Sequence, residues 1–514
     1  MNQTLAPIPR RLHAAIPAIV AAAAGFLLFA VTLRGGFAYD FNYMVAADHR
    51  LRDPSQWGQY WKTRYGEGVD NLYRPLTSMV LAVQSWLHGF EPDHTWRFHL
   101  LSILMHAGVC ALVAELARRL IGWRVGLVAG LLYAVHPIHV EVLGDIVGQA
   151  EMMCALGILG ALVLFLKRPM SPPRALAIFF CFVVALLSKE QGMLLPLLLF
   201  FLWICTSDRA TGGGDYKAMQ LLSILLCFSL SAYIILREDV LKLHFAWDRS
   251  FIEPATNPLI LSHGLHRVLM PVVLLGRYTQ LLIFPWRLLP DYSGEAIGAA
   301  AHVRDPYLWL GFAGIAAWIA LFAIAIRRKA IAMLFCLLAL GVTYGLVGNI
   351  VSLIGTNLAE RLMYLPSVFF LMIAAIGLAK LSTRALTPVL ILLLLLGSWR
   401  SFTYAQLWND RLRLYEYAVR EEQGAIRMYS WLGTEYLNRG QGDLALATMQ
   451  QAQRKMPKNA EVWCNSSAIA MRAGRLDLAD QYLSRAESIQ VSMRTIALRQ
   501  DLASRQAATK PVPP

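Results

Sequence analysis

Five short segments of the chain carry ionisable residues in otherwise apolar surroundings, and their types point to one kind of chemistry. Asp40 lies in FAYDF at 37–41. HPIHVEVLGDIVGQAE supplies His136, His139, Glu141, Asp145 and Glu151, and SKEQG supplies Lys189 and Glu190. FPWRLLPDYS ends on Asp291, Tyr292 and Ser293, and GTNLAERLMYLPS contains Glu360 and Arg361. A carboxylate and several cations around one cavity suit a lipid-phosphate substrate. Arg or Lys would hold the phosphate through charge-assisted hydrogen bonds, and the carboxylate would serve as general base. Singly, the segments have plainer accounts. Asp40 could be a solvated helix end, Lys189-Glu190 a pair of neighbours at a turn, and Glu360-Arg361 a structural ion pair. The spacing His136-Pro-Ile-His139 can also present two imidazoles to one divalent metal, with Glu141 as third ligand. A proline turn capped by polar groups is the alternative there. No GxxxxGK[ST] or GxGxxG occurs, and GGGD at 212–215 opens no phosphate-cradling helix, which is consistent with a membrane-borne donor.

The elements that must position these groups are membrane helices. Of 514 residues, 57% are hydrophobic and only 16% charged, with mean hydropathy +0.48. A soluble domain carries roughly 25% charge and could not bury so much apolar surface. Disorder, collagen and a disulfide scaffold are excluded on the same grounds. Six of the seven cysteines fall in apolar runs, and no CxxC pair occurs. The net charge of +14 collects between apolar runs, so it reads as membrane orientation and not as nucleic-acid binding. An all-α, multi-pass architecture follows, because only helices satisfy their own backbone in lipid.

Twelve apolar runs are visible, near 13–33, 98–117, 125–141, 152–166, 173–187, 191–206, 218–236, 262–285, 306–326, 330–350, 362–380 and 385–399. An amphipathic piece lies near 75–88. Arg10 and Arg11 place the N-terminus in the cytosol and leave 34–96 as the first outer loop. Basic clusters at Arg118–Arg124, Lys167–Arg174, Arg327–Lys329 and Lys380–Arg384 all become cytosolic if the number of crossings is odd. The run 262–285, with His263, His266, Arg267 and Arg277, is then re-entrant or interfacial, giving about 11 crossings within 1–399. A competing solution joins 173–206 into one broken crossing. After Trp399 the chain turns polar: a connecting helix at 400–424, two repeats at 425–495 and a tail at 496–514. Gly440/Gly474, Ala445/Ala479 and Ala452/Ala486 match at a spacing of 34, the tetratricopeptide period. The second block is degenerate, with Ser466 and Ser467 at the Leu-Gly positions.

FAYDF, LYRPLTS at 72–78, HPIHVEVLGDIVGQAE, SKEQG, LLGRYTQLLIFPWRLLPDYS and GTNLAERLMYLPS occur in the order found in the transmembrane and tetratricopeptide-repeat (TMTC) O-mannosyltransferases, which the chain resembles over about 13–490. That resemblance implies a GT-C membrane domain, a lumenal or periplasmic active site, a dolichyl- or polyprenyl-phosphate mannose donor and protein acceptors engaged by the repeats. Asp40 would be the base that deprotonates a Ser or Thr hydroxyl. The second acidic position of the family motif is Phe41 here, a departure that removes a paired carboxylate. Arg361, then Lys189 and Arg74, would hold the donor phosphate. His136, His139, Glu141, Glu151, Glu190, Glu360, Asp291 and Tyr292 would line the sugar and acceptor side. No cofactor is firmly implied. With only two repeats the chain suits a bacterial inner-membrane relative with a periplasmic site (the endoplasmic reticulum membrane in a eukaryote). The other readings are transfer of a different lipid-linked sugar to a lipid or glycan, and a non-catalytic membrane scaffold.

Overall fold

The computed structural model describes residues 10–40, 45, 47–68, 72–89, 91, 94–167, 169–206, 215–242, 252, 256–293, 296–298, 301–422 and 424–509. Phe41, the loop 212–214 and the last residues of the tail lie outside the described residues. Every one of the twelve apolar runs is helical. Six of these helices are long and apolar enough to cross a bilayer: His13–Arg34, Thr95–Leu120, Ile146–Phe165, Tyr216–Leu241, Pro306–Arg327 and Thr383–Trp408. Trp123–Val135 and Pro137–Gly144 form a pair bent by 52°, a seventh if counted as one broken span. Four shorter apolar helices follow the remaining runs: Pro172–Ser188, Glu190–Thr206, Ile331–Val347 and Pro366–Leu378. The helix Gly264–Ile283 is not apolar enough to join the six. The chain is a multi-pass membrane protein.

Local sequence explains the helix starts. Prolines 75, 172, 306 and 366 stand in the first turn, where a missing N–H costs nothing. Asp305 and Ser382 cap their helices by accepting from the amides of Tyr307 and Ala385. Small residues set the helix crossings. A methyl added at Gly130 would come within 2.6 Å of the Ala114 Cβ and 2.8 Å of the Ala21 Cβ, so three helices meet there at backbone contact. Gly276 and Gly311 do the same for Gly264–Ile283 against Pro306–Arg327, facing the carbonyls of Tyr307 and Val272.

The helix ends fall into two groups. In one, the Trp123 indole donates to the His13 carbonyl at 3.1 Å and Arg124 to the Leu381 carbonyl at 2.6 Å, which gathers three of the predicted same-side turns. The other holds the five acidic segments. One apolar core, containing Val113, Ala129, Leu159, Phe182 and Phe369, fills the membrane bundle. A second runs without a break from Phe29 and Tyr39 through Tyr278 and Trp408 to Leu483.

The C-terminal region differs from its expected boundaries. Thr383–Trp408 passes straight through Trp399, so the polar segment begins as a continuation of the last apolar helix. Arg411–Glu421 follows, and then the helical hairpins Ile426–Asn438/Gly442–Lys455 and Ala460–Arg472/Leu476–Ile489. Gly440 and Gly474 take φ of 73° and 75° at equivalent turns, and Ala445, Ala452, Ala479 and Ala486 are fully buried between helices. The expected tail is largely helix, Met493–Thr509. These helices share the second core with the membrane bundle and have no separate one.

Gly130→Leu should force Arg10–Phe29, Thr95–Leu120 and Trp123–Val135 apart and destabilise the bundle by about 1–3 kcal/mol. A fall in the midpoint of thermal unfolding in detergent, absent in an exposed control such as Leu104→Ile, is the expected result.

Candidate active site

The centre of the acidic face is one guanidinium. Arg361 Nη1 lies 2.7 Å from Asp40 Oδ2, 3.3 Å from Glu141 Oε1 and 3.9 Å from Asp145 Oδ2. Its backbone N–H donates to Glu141 Oε2 at 2.8 Å. Asp40 and Arg361 are 321 residues apart, so tertiary structure alone joins them. Glu141 and Asp145 arrive through the bend at His136, where Pro137 opens a short 3-10 turn and Val140–Gly144 a helical turn. Asp145 then accepts from the amide of Val147 and starts the next turn. Gly144 has no side chain because the ring of Trp408 occupies the place a Cβ would take.

The carboxylates are buried beyond what the protein satisfies. Glu141 Oε1 and Asp145 Oδ2 have no hydrogen-bond donor among the described residues, nor has Glu360 Oε2. Burial, and then the Asp40 carboxylate, push the Asp145 carboxyl well above the usual carboxylate range. The two acids meet on the same guanidinium nitrogen, so the structure supplies from a different segment the second carboxylate that Phe41 denies to the motif.

The other expected cations are already engaged. Lys189 is ion-paired to Glu151, both nearly buried. Arg74 forks onto Glu190, with Nη2–Oε2 at 2.8 Å. Next to it Thr77 donates to the Ser188 carbonyl, so these contacts bolt Pro75–His88 to the SKEQG turn. Lys189 and Arg74, like Arg361, thus each hold a carboxylate.

The two histidines are likewise spent on the protein. His136 Nε2 donates to the Leu282 carbonyl at 3.0 Å while Nδ1 accepts from the Ile138 amide. His139 Nδ1 donates to the Tyr133 carbonyl at 2.9 Å, and its Nε2 lies 2.9 Å from Ser367 Oγ, whose hydroxyl donates to the Tyr364 carbonyl. His139 is fully buried among Tyr133, Tyr364 and His106. The divalent-metal reading of His136, His139 and Glu141 is therefore corrected. Each imidazole nitrogen has a protein partner and Glu141 faces Arg361, and among the described residues no group of three such side chains is placed to hold a metal. Both rings pin the HPIH turn.

Glu360 is fully buried and points away from its neighbour Arg361. Its Oε1 accepts from the Leu289 amide at 2.7 Å and from Tyr292 Oη at 2.8 Å. Burial, and then Glu141, push its carboxyl well up. Asn357 donates to the Tyr292 carbonyl at 3.0 Å, so the two blocks 284–293 and 355–367 are tied as one wall.

Residues 75–234 match the family model for dolichyl-phosphate-mannose-protein mannosyltransferases. Protein O-mannosyl-transferase TMTC3 of Homo sapiens is 25% identical over 502 residues, covering 88% of this chain and 53% of that protein. Protein O-mannosyl-transferase tmtc2 of Xenopus laevis is 30% identical over 195 residues, 35% of this chain and 23% of that protein. Over most of its length the chain is similar to TMTC3. The resemblance seen in the motifs is thereby borne out, and the chain spans about half the length of TMTC3. Among solved structures, ArnT from Cupriavidus metallidurans bound to undecaprenyl phosphate aligns with TM-score 0.44 at 16% identity, over 93% of this chain and 80% of that one.

The segment Asp291-Tyr292-Ser293 meets a residue that sequence reasoning missed. Arg427, from the first helix of the C-terminal hairpins, donates from Nη2 to Asp291 Oδ1 at 2.6 Å and from Nε to Asp291 Oδ2 and Ser293 Oγ at 3.2 Å each. Burial alone would raise Asp291, but Arg427 and Ser293 outweigh it and hold the carboxyl below its ordinary range. A depressed carboxylate stabilises above its unfolded pKa, so this bridge is at full strength from mildly acidic pH upward. It is lost only as pH falls through the folded value. Arg427 carried no signal in the sequence, since a lone arginine in a polar helical segment is unremarkable.

Lys189→Met should cost about 3–5 kcal/mol of stability, because it strands Glu151 as a buried, unpaired charge. Lys189→Met with Glu151→Met should recover most of that in thermal unfolding. A single variant as stable as wild type would show that the pair is solvated.

Proposed function

We propose that this chain transfers a sugar, mannose in the first instance, from a dolichyl- or polyprenyl-phosphate donor to a Ser or Thr hydroxyl of a protein. The reaction would take place at the outer face of the membrane in a GT-C type fold with the N-terminus cytosolic. The observation that carries the reading is the 2.7 Å contact between Asp40 and Arg361 on the face opposite the basic turns. The names of the TMTC relatives and of the matching family model support the reaction class.

The chemistry follows from how the guanidinium is shared. Its ion pairs and side-chain hydrogen bond run through Nη1, which leaves N–H groups on Nε and Nη2 for a phosphate oxygen. A phosphate that draws Arg361 toward itself loosens the hold on Asp40 and makes that carboxylate a better base. Asp40 then takes the acceptor's hydroxyl proton as the oxygen attacks the anomeric carbon, opposite the departing phosphate, and the configuration inverts. Arg361 stabilises the charge growing on the leaving group, where a pre-aimed cation in a dry site is most effective. Glu141 Oε1 and Asp145 Oδ2 offer unfilled acceptors to the hydroxyl donors of a sugar. The C-terminal hairpins, lying on the same side, would dock the acceptor.

Asp40→Asn should reduce turnover by about two to four orders of magnitude in purified protein given dolichyl-phosphate mannose and a Ser/Thr peptide. Full activity in that variant would remove Asp40 from the role. Turnover with another lipid-linked sugar and none with mannose would move the reading to the other donor class.

A further inference from the structure

Tyr39, immediately before Asp40, has φ of 56°. A bulky residue holds that left-handed conformation only where its surroundings over-determine it. Almost everything that holds it comes from the far end of the chain. Its amide donates to Tyr415 Oη at 3.3 Å. Its ring stands edge-on to Trp431 at 4.9 Å and to Trp408 at 5.9 Å. Its hydroxyl accepts from Arg427 Nη2 at 3.3 Å, and its ring lies 5.8 Å from the Arg361 guanidinium. Tyr39 is thus clamped between two arginines, one in the site and one in the C-terminal helices.

We propose that Arg427 is a positioning residue for Asp40, so that the helix Ile426–Asn438 completes the active site in cis besides any part in acceptor docking. The proposal rests on the reading of Asp40 as base. Arg427 touches neither Asp40 nor Arg361. It acts through Tyr39, whose twisted backbone aims the next side chain at Arg361 Nη1. Asp291 and Ser293 fix the Arg427 fork from the opposite wall, so the three partners make one rigid link from the hairpins to the catalytic turn. Above mildly acidic pH the link does not titrate, because Asp291 is held ionised.

The test uses the full-length protein in nanodiscs with dolichyl-phosphate mannose and a Ser/Thr peptide. Arg427→Met should lower kcat by about 10- to 100-fold, the scale of a displaced catalytic group, with donor KM little changed; its thermal midpoint should fall because Asp291 loses its partner, and adding Asp291→Asn should recover the midpoint but not kcat. Arg427→Lys should restore part of the loss. Tyr39→Phe combined with Arg427→Met should be no worse than Arg427→Met alone, because both remove the same link. Hydrogen–deuterium exchange across 36–40 should rise in Arg427→Met, and this arm decides the proposal even if wild-type protein turns over no lipid-linked mannose, in which case the functional reading fails separately. Unchanged kcat with unchanged exchange would overturn the proposal. So would a rise in donor KM alone, or a loss of kcat that only tracks a loss of thermal stability.

Discussion

One cation holds together a set of acids that would otherwise repel each other. Asp40, Glu141 and Asp145 all lie within 4 Å of Arg361 Nη1. In a site poor in water such charges cannot all stay ionised without a partner, and a single arginine cannot satisfy three. The structure answers in two ways. Asp145 is pushed toward its neutral form by burial and by Asp40, and two carboxylate oxygens remain without donors. Surplus acceptors beside one shared guanidinium are what the proposed sugar-phosphate reading rests on.

The rest of the fold keeps that cluster in place. The break at His136 turns the chain by 52° and is fastened at both ring nitrogens of His136 and His139, so Glu141 and Asp145 project from a rigid corner. Lys189–Glu151 and Arg74–Glu190 neutralise the remaining acids and anchor the amphipathic helix to the neighbouring turn. Close crossings at Gly130 and Gly276 bring the helices near enough for these short contacts. Membrane bundles gain little from the hydrophobic effect between helices, so backbone-level packing and buried polar ties carry the specificity.

The C-terminal helices belong to this arrangement and are not an appended module. Their core is continuous with that of the outer half of the membrane bundle, and Trp408, Tyr415, Arg427 and Trp431 all reach Tyr39. An acceptor that docks on the hairpins would press on a surface linked by one arginine to the turn that carries Asp40.

Sequence by itself determined the class of the protein, the helix positions and the segments that carry the chemistry. Each rests on a local quantity, such as the length of an apolar run, a proline in a first turn or a charge beside a helix end. The twelve runs became helices, and Asp40 and Arg361 were nominated from their segments together with the family resemblance those segments carry. Tertiary structure decided which charges pair. Lys189 and Arg74 each meet a carboxylate, and a neighbour's identity across 38 or 116 residues is not written in local pattern. The histidine pair looked like a metal site by spacing, but ring orientation sent all four nitrogens to protein partners. Asp145 and Arg427 gained their meaning only when a bend and a hairpin carried them to Asp40 and Tyr39. Burial and direction, unlike residue type and spacing, exist only once the chain is folded.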